Sequence, residues 1–232
     1  SGLSPGVLPL TAPFLAVQQF AAGHWPYREA LLGAGIVLAF YLLFGGRLFC
    51  SWVCPVNLVT DAAAWLRRRL GLKGGKVSSG STRYWLLGFV LVIAAATGSL
   101  AWEWVNPVSM FHRGLIFGFG LAWGIVGGIF FYDLLIAPRG WCGHLCPQGA
   151  FYALIGRAAV VKVSADKRSA CNDCMDCFAV CPEPQVIRPA LKGVGQDHPL
   201  ILDADCTTCG RCVDVCGKDV FRITTRFNRS ES

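Results

Sequence analysis

Two cysteine runs with the same spacing lie in the last quarter of the chain, and this repeat constrains the fold more than any other feature. Each run reads C-x2-C-x2-C-x3-C, followed by proline in the first run and by glycine in the second. The first run is Cys171, Cys174, Cys177 and Cys181, and the second is Cys206, Cys209, Cys212 and Cys216. This spacing is typical of chains that hold two [4Fe–4S] clusters, in which three near cysteines bind one cluster and the fourth binds the other.

The spacing assigns these eight cysteines to two ligand sets. Set I is Cys171, Cys174, Cys177 and Cys216, and set II is Cys206, Cys209, Cys212 and Cys181. The alternatives are zinc, which uses two C-x2-C pairs instead of such runs, and disulfides, which need an oxidising compartment. The doubled run favours two iron–sulfur clusters. Such clusters carry single electrons, so we expect this part of the chain to be an electron relay.

The rest of the chain is strongly apolar. Of the 232 residues, 54% are hydrophobic and only 15% are charged, which is unusual for a soluble domain. Residues 30–46, 84–102 and 114–132 are uncharged and close to the ~20 residues that cross a bilayer. We therefore predict an α-helical integral membrane bundle with three spans. Residues 1–27 contain four prolines, and we expect them to lie at the membrane interface, with a short helix over residues 12–22.

The distribution of Lys and Arg predicts the orientation of these spans. Residues 49–83 contain six of these side chains, whereas residues 103–113 contain only Arg113. The positive-inside rule then places residues 49–83 and the tail from residue 138 in the cytoplasm, and residues 103–113 in the periplasm. We interpret the net charge of +7 as membrane-surface charge and expect no nucleic-acid partner. The predicted location is the bacterial inner membrane, with a multi-pass chain.

A second repeat places four further cysteines at the ends of spans. Residues 47–57 (RLFCSWVCPVN) and 139–149 (RGWCGHLCPQG) share a C-x3-C-P motif that contains Cys50 and Cys54 in one copy and Cys142 and Cys146 in the other. The proline favours the start of a new helix, which would put Cys54 and Cys146 at helix N-termini, where thiolates are favoured. Three hypotheses remain open: a third iron–sulfur cluster, redox-active thiol pairs, or cysteines that only pack.

Several stretches resemble the NapH family, the membrane-bound quinol dehydrogenase subunits of the periplasmic nitrate reductase system. They include GRLFCSWVCPVNLVTDAAAWLRRRLG, WEWVNPVS, GWCGHLCPQGAFYALIG and both cysteine runs. The resemblance implies four spans with both termini in the cytoplasm, so that the first span would precede Ser1. It also implies that electrons pass from quinol toward a periplasmic nitrate reductase. The implied partners are membrane lipid, quinol, the iron–sulfur protein NapG and a membrane-anchored multihaem cytochrome c.

A quinol dehydrogenase needs a proton acceptor near its substrate. Glu103 and His112 are the candidates on the predicted periplasmic side, and Asp133 and His144 are those on the cytoplasmic side. Polar residues at a membrane boundary also have ordinary roles as solvated or anchoring groups.

The predicted domain order follows from these motifs. Residues 1–27 form the interfacial segment, residues 28–160 the membrane domain, and residues 161–232 an α+β ferredoxin-like domain with two clusters. In that domain we expect residues 160–163 and 220–225 to pair as antiparallel outer strands, with a short helix after each cysteine run.

A rival function uses the same motifs differently. Chains with C-x3-C-P motifs and a ferredoxin tail also resemble membrane reductases or assembly factors that supply electrons for metal-site maturation. In that case the thiols bind or reduce a metal ion, and no quinol is turned over.

Overall fold

The computed structural model describes residues 12–72, 74–75, 80–118, 120–194 and 198–228. The chain divides into two compact units. The first unit consists of residues 1–39 and 54–151, and the second consists of residues 40–53 and 152–232. The domain boundaries at residues 27 and 160 stay predictions.

The described part of the first unit is helical. Its helices are α1 (Pro13–Ala21), α2 (Arg28–Phe44), α3 (Val56–Arg69), α4 (Thr82–Thr97), α5 (Pro107–Phe117), α6 (Leu121–Leu135) and α7 (Pro147–Ala158), of which α2 and α7 end in the second unit. The helix predicted over residues 12–22 is confirmed as α1. Proline in the first turn starts α1 and α5, and the Asn106 side chain caps α5 by accepting a hydrogen bond from the Val108 amide at 3.1 Å.

The predicted bundle of membrane-spanning helices is wrong. The helix formed by the second apolar stretch ends at Thr97, because Gly98 adopts a left-handed conformation (φ 62°). The third stretch is divided between α5 and α6 at Gly118, which has a φ of 82°. The first stretch forms α2, which has 17 residues and is therefore about 26 Å long, shorter than the ~30 Å bilayer core. Among the described residues, no helix is both long and apolar enough to cross a membrane.

One face of α2 nevertheless carries large apolar side chains that are exposed. They are Leu32, Ile36, Phe40 and Phe44, which follow one another at intervals of four residues. This spacing places neighbouring members of the row on the same side of the helix. The exposed row is therefore a continuous apolar surface on this one helix.

Besides the ends of α2 and α7, the described part of the second unit contains a small sheet and three short α-helices. Strand β1 (Val161–Ser164) pairs antiparallel with β2 (Arg222–Thr225), and Val161 lies opposite Thr225. This confirms the predicted pairing of the outer strands. The helices are α8 (Asp176–Val180), α9 (Ile187–Lys192) and α10 (Arg211–Val215).

The position of two of these helices differs from the prediction. Helices α8 and α10 lie inside the cysteine runs, before the fourth cysteine of each, and only α9 follows a run. The cause is the left-handed residue just before each helix, Met175 before α8 and Gly210 before α10, which turns the chain after the second cysteine. The core between these elements is apolar and includes Val163, Ile187, Ile201 and Phe221.

Candidate iron–sulfur centres

The two cysteine runs follow the same backbone path. In the first run, Asp173 and Met175 have positive φ angles of 58° and 65°. Thr208 and Gly210 occupy the equivalent places in the second run, with φ angles of 51° and 78°. Positive φ is uncommon for residues other than glycine, so its repetition at matched positions shows that the spacing dictates one local conformation.

The four thiols of set I come together although they belong to both runs. They line one cavity: Cys171, Cys174, Cys177 and Cys216. Apolar side chains, including Phe178, Leu191 and Phe221, form much of the rest of its wall. The cavity is therefore a pocket with four sulfur ligands and a largely apolar lining.

Set II forms a second cavity of the same kind. Its cysteines are Cys181, Cys206, Cys209 and Cys212. Val186, Ile187 and Ile201 line it as well, together with the carboxylate-bearing residue Glu183. In each cavity, three cysteines come from one run and the fourth comes from the other. A [4Fe–4S] cluster requires four cysteine thiolates, so each donor set fits one cluster.

The pKa values of the set II thiols reflect their burial. Burial raises the pKa of Cys181 and of Cys212 to about 12, and the neighbouring thiols of the same set add to the increase. Burial also raises the pKa of Cys206, while the positive charges of Lys162 and Arg47 act in the opposite direction. Thiols must lose their protons to bind iron, so cluster insertion at these positions releases protons.

The cysteines are not arranged around a single ion. In the described ranges, no three His, Cys, Asp or Glu side chains are close enough to share one metal ion. The donor sets surround cavities instead, which suits a group larger than one ion.

The two C-x3-C-P motifs also share one local structure. Each forms a single π-helical turn, Phe49–Val53 in the first copy and Trp141–Leu145 in the second. The proline then starts the next helix, α3 or α7, as predicted. Cys146 precedes α7, and its sulfur accepts a hydrogen bond from the Gly149 amide at 3.4 Å. Turns of this type are rare and are often found at functional sites.

The four cysteines of these motifs are divided between the two units. Cys50 belongs to the second unit, whereas Cys54, Cys142 and Cys146 belong to the first. All four are partly buried. A third cluster held by these cysteines stays a prediction.

The candidate proton acceptors have different surroundings. The Glu103 carboxylate accepts hydrogen bonds from Ser109 at 2.8 Å and from Asn106 at 3.4 Å, and so it organises the start of α5. His112 is exposed on α5. His144 is partly buried in the second π-helical turn, and within the described part of the chain its Nδ1 has no hydrogen-bond partner.

Asp133 has the environment best suited to proton exchange. The residue is fully buried, and one carboxylate oxygen accepts a hydrogen bond from the Trp141 amide at 3.0 Å. Its other oxygen is buried and has no hydrogen-bond partner among the described residues. Burial raises the pKa of Asp133 to about 7, so the group exchanges its proton near neutral pH.

The sequence prediction of the site did not include two buried arginines that contact the motifs or the cysteine runs. Arg47 pairs with Glu183 at 3.2 Å, and Arg83 donates a hydrogen bond to the Gly143 carbonyl at 3.2 Å. The repeat itself carries a signal for the first of these, since Arg47 and Arg139 open the two C-x3-C-P motifs. Arg139 pairs instead with Asp61 of α3, at 2.8 Å.

Two protein-family models match the chain, and together they include both groups of cysteines. A family model described as a 4Fe-4S binding domain matches residues 29–73 and 116–166, which include the two C-x3-C-P motifs. A second model, described as a 4Fe-4S dicluster domain, matches residues 170–220 and so includes both cysteine runs. The chain is therefore an iron–sulfur protein. No solved structure matches the chain.

Several named proteins are similar to almost the whole chain. Ferredoxin-type protein NapH of Escherichia coli strain K12 is 49% identical over 98% of this chain and 79% of its own length. NapH of Haemophilus influenzae is 46% identical over 96% of the chain and 78% of its own length. Methylamine utilization ferredoxin-type protein MauN of Paracoccus denitrificans is 54% identical over 96% of the chain and 78% of its own length.

Proposed function

Because this chain belongs to the family of ferredoxin-type proteins that includes NapH and MauN, we propose that it is the electron-transfer subunit of a quinol dehydrogenase at the bacterial inner membrane. The observation that carries this proposal is the pair of cavities in the second unit, each lined by four cysteines from both runs. We assign one [4Fe–4S] cluster to set I and one to set II. Such clusters supply one-electron transfer, which suits stepwise oxidation of a two-electron donor.

The residues of the chain have separate tasks in this proposal. The cysteines of the two sets hold the clusters, and apolar side chains of the second unit pack against several of these cysteines. Oxidation of a quinol also releases two protons. Among the four candidate acceptors, Asp133 is favoured by its raised pKa and by a buried oxygen that no described residue contacts with a hydrogen bond. Glu103 and His112 remain candidates for a second proton acceptor.

The proposed location and partners follow from the apolar row on α2 and from the family. The exposed side chains of Leu32, Ile36, Phe40 and Phe44 favour contact with membrane lipid. The proposed acceptor is a periplasmic nitrate reductase, reached through the iron–sulfur protein NapG and a multihaem cytochrome c.

The first test is the iron and acid-labile sulfide content of the full chain purified without oxygen. Two clusters predict about eight irons per chain, and a third cluster raises this to about twelve. Replacing Cys50 and Cys142 by Ala lowers the content by about four irons if the C-x3-C-P cysteines hold a cluster, and leaves it unchanged if they do not. A content well below eight in the unmodified chain contradicts the two-cluster assignment.

The second test concerns the electron donor. A quinol analogue added to the anaerobic protein is expected to produce the electron paramagnetic resonance (EPR) signals of reduced clusters. The matched control is a Cys209→Ser variant, which changes a ligand of set II and leaves set I complete. Clusters that dithionite reduces but the quinol analogue does not reduce would refute quinol oxidation.

A second candidate function is favoured by the 54% identity to a relative named for methylamine utilization. In this case the same relay supplies electrons for methylamine utilization, as a reductase or in metal-site maturation. Deleting the gene in its source organism separates the two candidates. Loss of periplasmic nitrate reduction supports the first, and loss of growth on methylamine with normal nitrate reduction supports the second.

A further inference from the structure

The Arg47 side chain lies at the centre of a set of buried polar contacts in the second unit. Only 2% of its surface is exposed. Its guanidinium donates hydrogen bonds to the Glu183 carboxylate at 3.2 Å and to the Asp205 carbonyl at 2.8 Å. Breaking a buried pair of this kind is costly, because it leaves one charge buried without its partner.

The partners of Arg47 belong to the two stretches of chain that supply set II. Asp205 directly precedes Cys206, and Glu183 lies two residues after Cys181 and lines the set II cavity. Arg47 therefore joins the stretch that carries three of the set II cysteines to the distant stretch that carries the fourth.

A neighbouring contact holds the other side of the same cysteine. The Ser51 hydroxyl lies 3.2 Å from the carbonyl oxygens of both Leu48 and Thr207 and shares its single proton between them, so the backbone has polar contacts on both sides of Cys206. Gly45 packs against the Thr208 side chain, where an added Cβ would lie 2.8 Å from the hydroxyl oxygen. The beginning of the first C-x3-C-P motif thus lies against the backbone of the second cysteine run.

We propose that Arg47 is a positioning residue for the cluster of set II, and that its positive charge raises the reduction potential of that cluster. This inference rests on the proposed function, because it requires a cluster in set II. Reduction adds a negative charge to a cluster, and a buried positive charge nearby stabilises the reduced form. Hydrogen bonds to the residues that flank metal ligands also orient the ligands and tune the metal centre.

The negative charge of Glu183 acts on the same cluster with the opposite sign. Removing the Arg47 charge leaves the Glu183 carboxylate unbalanced beside the set II cavity, and both changes lower the reduction potential. Removing the Glu183 charge leaves the Arg47 charge unbalanced and raises the potential. A purely structural role for this pair predicts no such reversal of sign.

The experiment is an EPR-monitored redox titration of the full chain under anaerobic conditions. The variants are Arg47→Gln and Glu183→Gln, and the matched control is Arg139→Gln, the equivalent position of the second motif. The set II signal is identified with Cys209→Ser. We expect Arg47→Gln to lower the set II midpoint by about 59 mV or more, which is a tenfold change in the one-electron equilibrium. Glu183→Gln is expected to raise the set II midpoint. The set I midpoint is expected to stay unchanged in both variants, and Arg139→Gln is expected to leave both midpoints unchanged.

The possible failures are distinguishable. If the unmodified chain shows fewer than two cluster signals, the proposed function fails before the inference is tested. If both signals are present and Arg47→Gln shifts neither midpoint, or shifts both equally, the inference is overturned. If Arg47→Gln loses iron, the sign of the shift in Glu183→Gln decides: an increase supports the inference, and no change or a decrease overturns it.

Discussion

Adding a single methyl group at Gly46 is expected to destabilise the second unit. A Cβ added there would lie 2.0 Å from the Tyr152 carbonyl oxygen and 2.3 Å from the Gly156 amide nitrogen. Both of these are backbone atoms of α7, so no side-chain rotation relieves the overlap. Gly46→Ala therefore requires the chain at residue 46 to separate from α7.

The size of the effect follows from these distances. Ordinary van der Waals contact begins at 3.4 Å, so the two backbones must move apart by more than 1 Å. Inserting a methyl group into a packed core typically costs about 1–3 kcal/mol, and rigid backbone neighbours place this case at about 3 kcal/mol. Domain stabilities are about 5–15 kcal/mol, so Gly46→Ala removes a large share of the stability of the unit.

The assay is thermal unfolding of the anaerobically purified chain, with iron content as a second readout. We expect the melting temperature to fall by about 12 °C or more, on the basis of about 4–8 °C per kcal/mol for a domain of this size. Because Gly46 precedes Arg47, we also expect iron loss from the Gly46→Ala protein.

The matched control is Gly35→Ala in α2, where an added Cβ meets nothing within 4 Å. Alanine favours a helix over glycine by up to about 1 kcal/mol, so this variant is expected to be as stable as the unmodified chain or slightly more stable. A Gly46→Ala protein with the melting temperature and iron content of the Gly35→Ala protein would refute the close packing of residue 46 on α7.

Two further predictions concern the candidate proton acceptors. The pKa of Asp133 is about 7 in the folded chain and 3.8 ordinarily, so the folded state keeps its proton to higher pH, and stability is lost as the pH rises from about 4 to 7. The loss of stability reaches about 1.4 kcal/mol per pH unit, and Asp133→Asn is expected to remove it. Denaturant unfolding of both proteins at pH 5 and pH 8 measures the difference. If the pH dependence is the same in both proteins, the raised pKa is contradicted. Glu103→Gln is expected to slow cluster reduction by a quinol analogue at normal iron content. Unchanged kinetics with a stability loss of about 0.3–1 kcal/mol would instead limit Glu103 to stabilising the start of α5.

The local motifs were largely predictable from the sequence. The spacing of each cysteine run favours one backbone path, and the matched left-handed residues Asp173 and Thr208 follow from it. The antiparallel pairing expected for residues 160–163 and 220–225 is present as the small sheet. The prolines after Cys54 and Cys146 predict the helices that begin there. These features depend on interactions between residues close in sequence or on strongly patterned segments.

The lengths of the apolar helices were not predictable from hydrophobicity. The uncharged stretches continue past Gly98 and Gly118, but the positive φ angles of these glycines end the helices. Hydropathy counts apolar side chains and contains no information on backbone dihedral angles, so the membrane bundle was predicted where shorter helices are found.

The sequence by itself determines which cysteines form two equivalent runs, because thiol spacing along the chain is a local property. Only the tertiary structure brings Arg47 to Glu183, 136 residues later, and places residues 40–53 in the same unit as the cysteine runs. A buried arginine needs a specific carboxylate and carbonyl in reach, and nothing in the residues next to Arg47 identifies them. Contacts of this kind arise only when distant segments pack together and bury the charges that they must then balance.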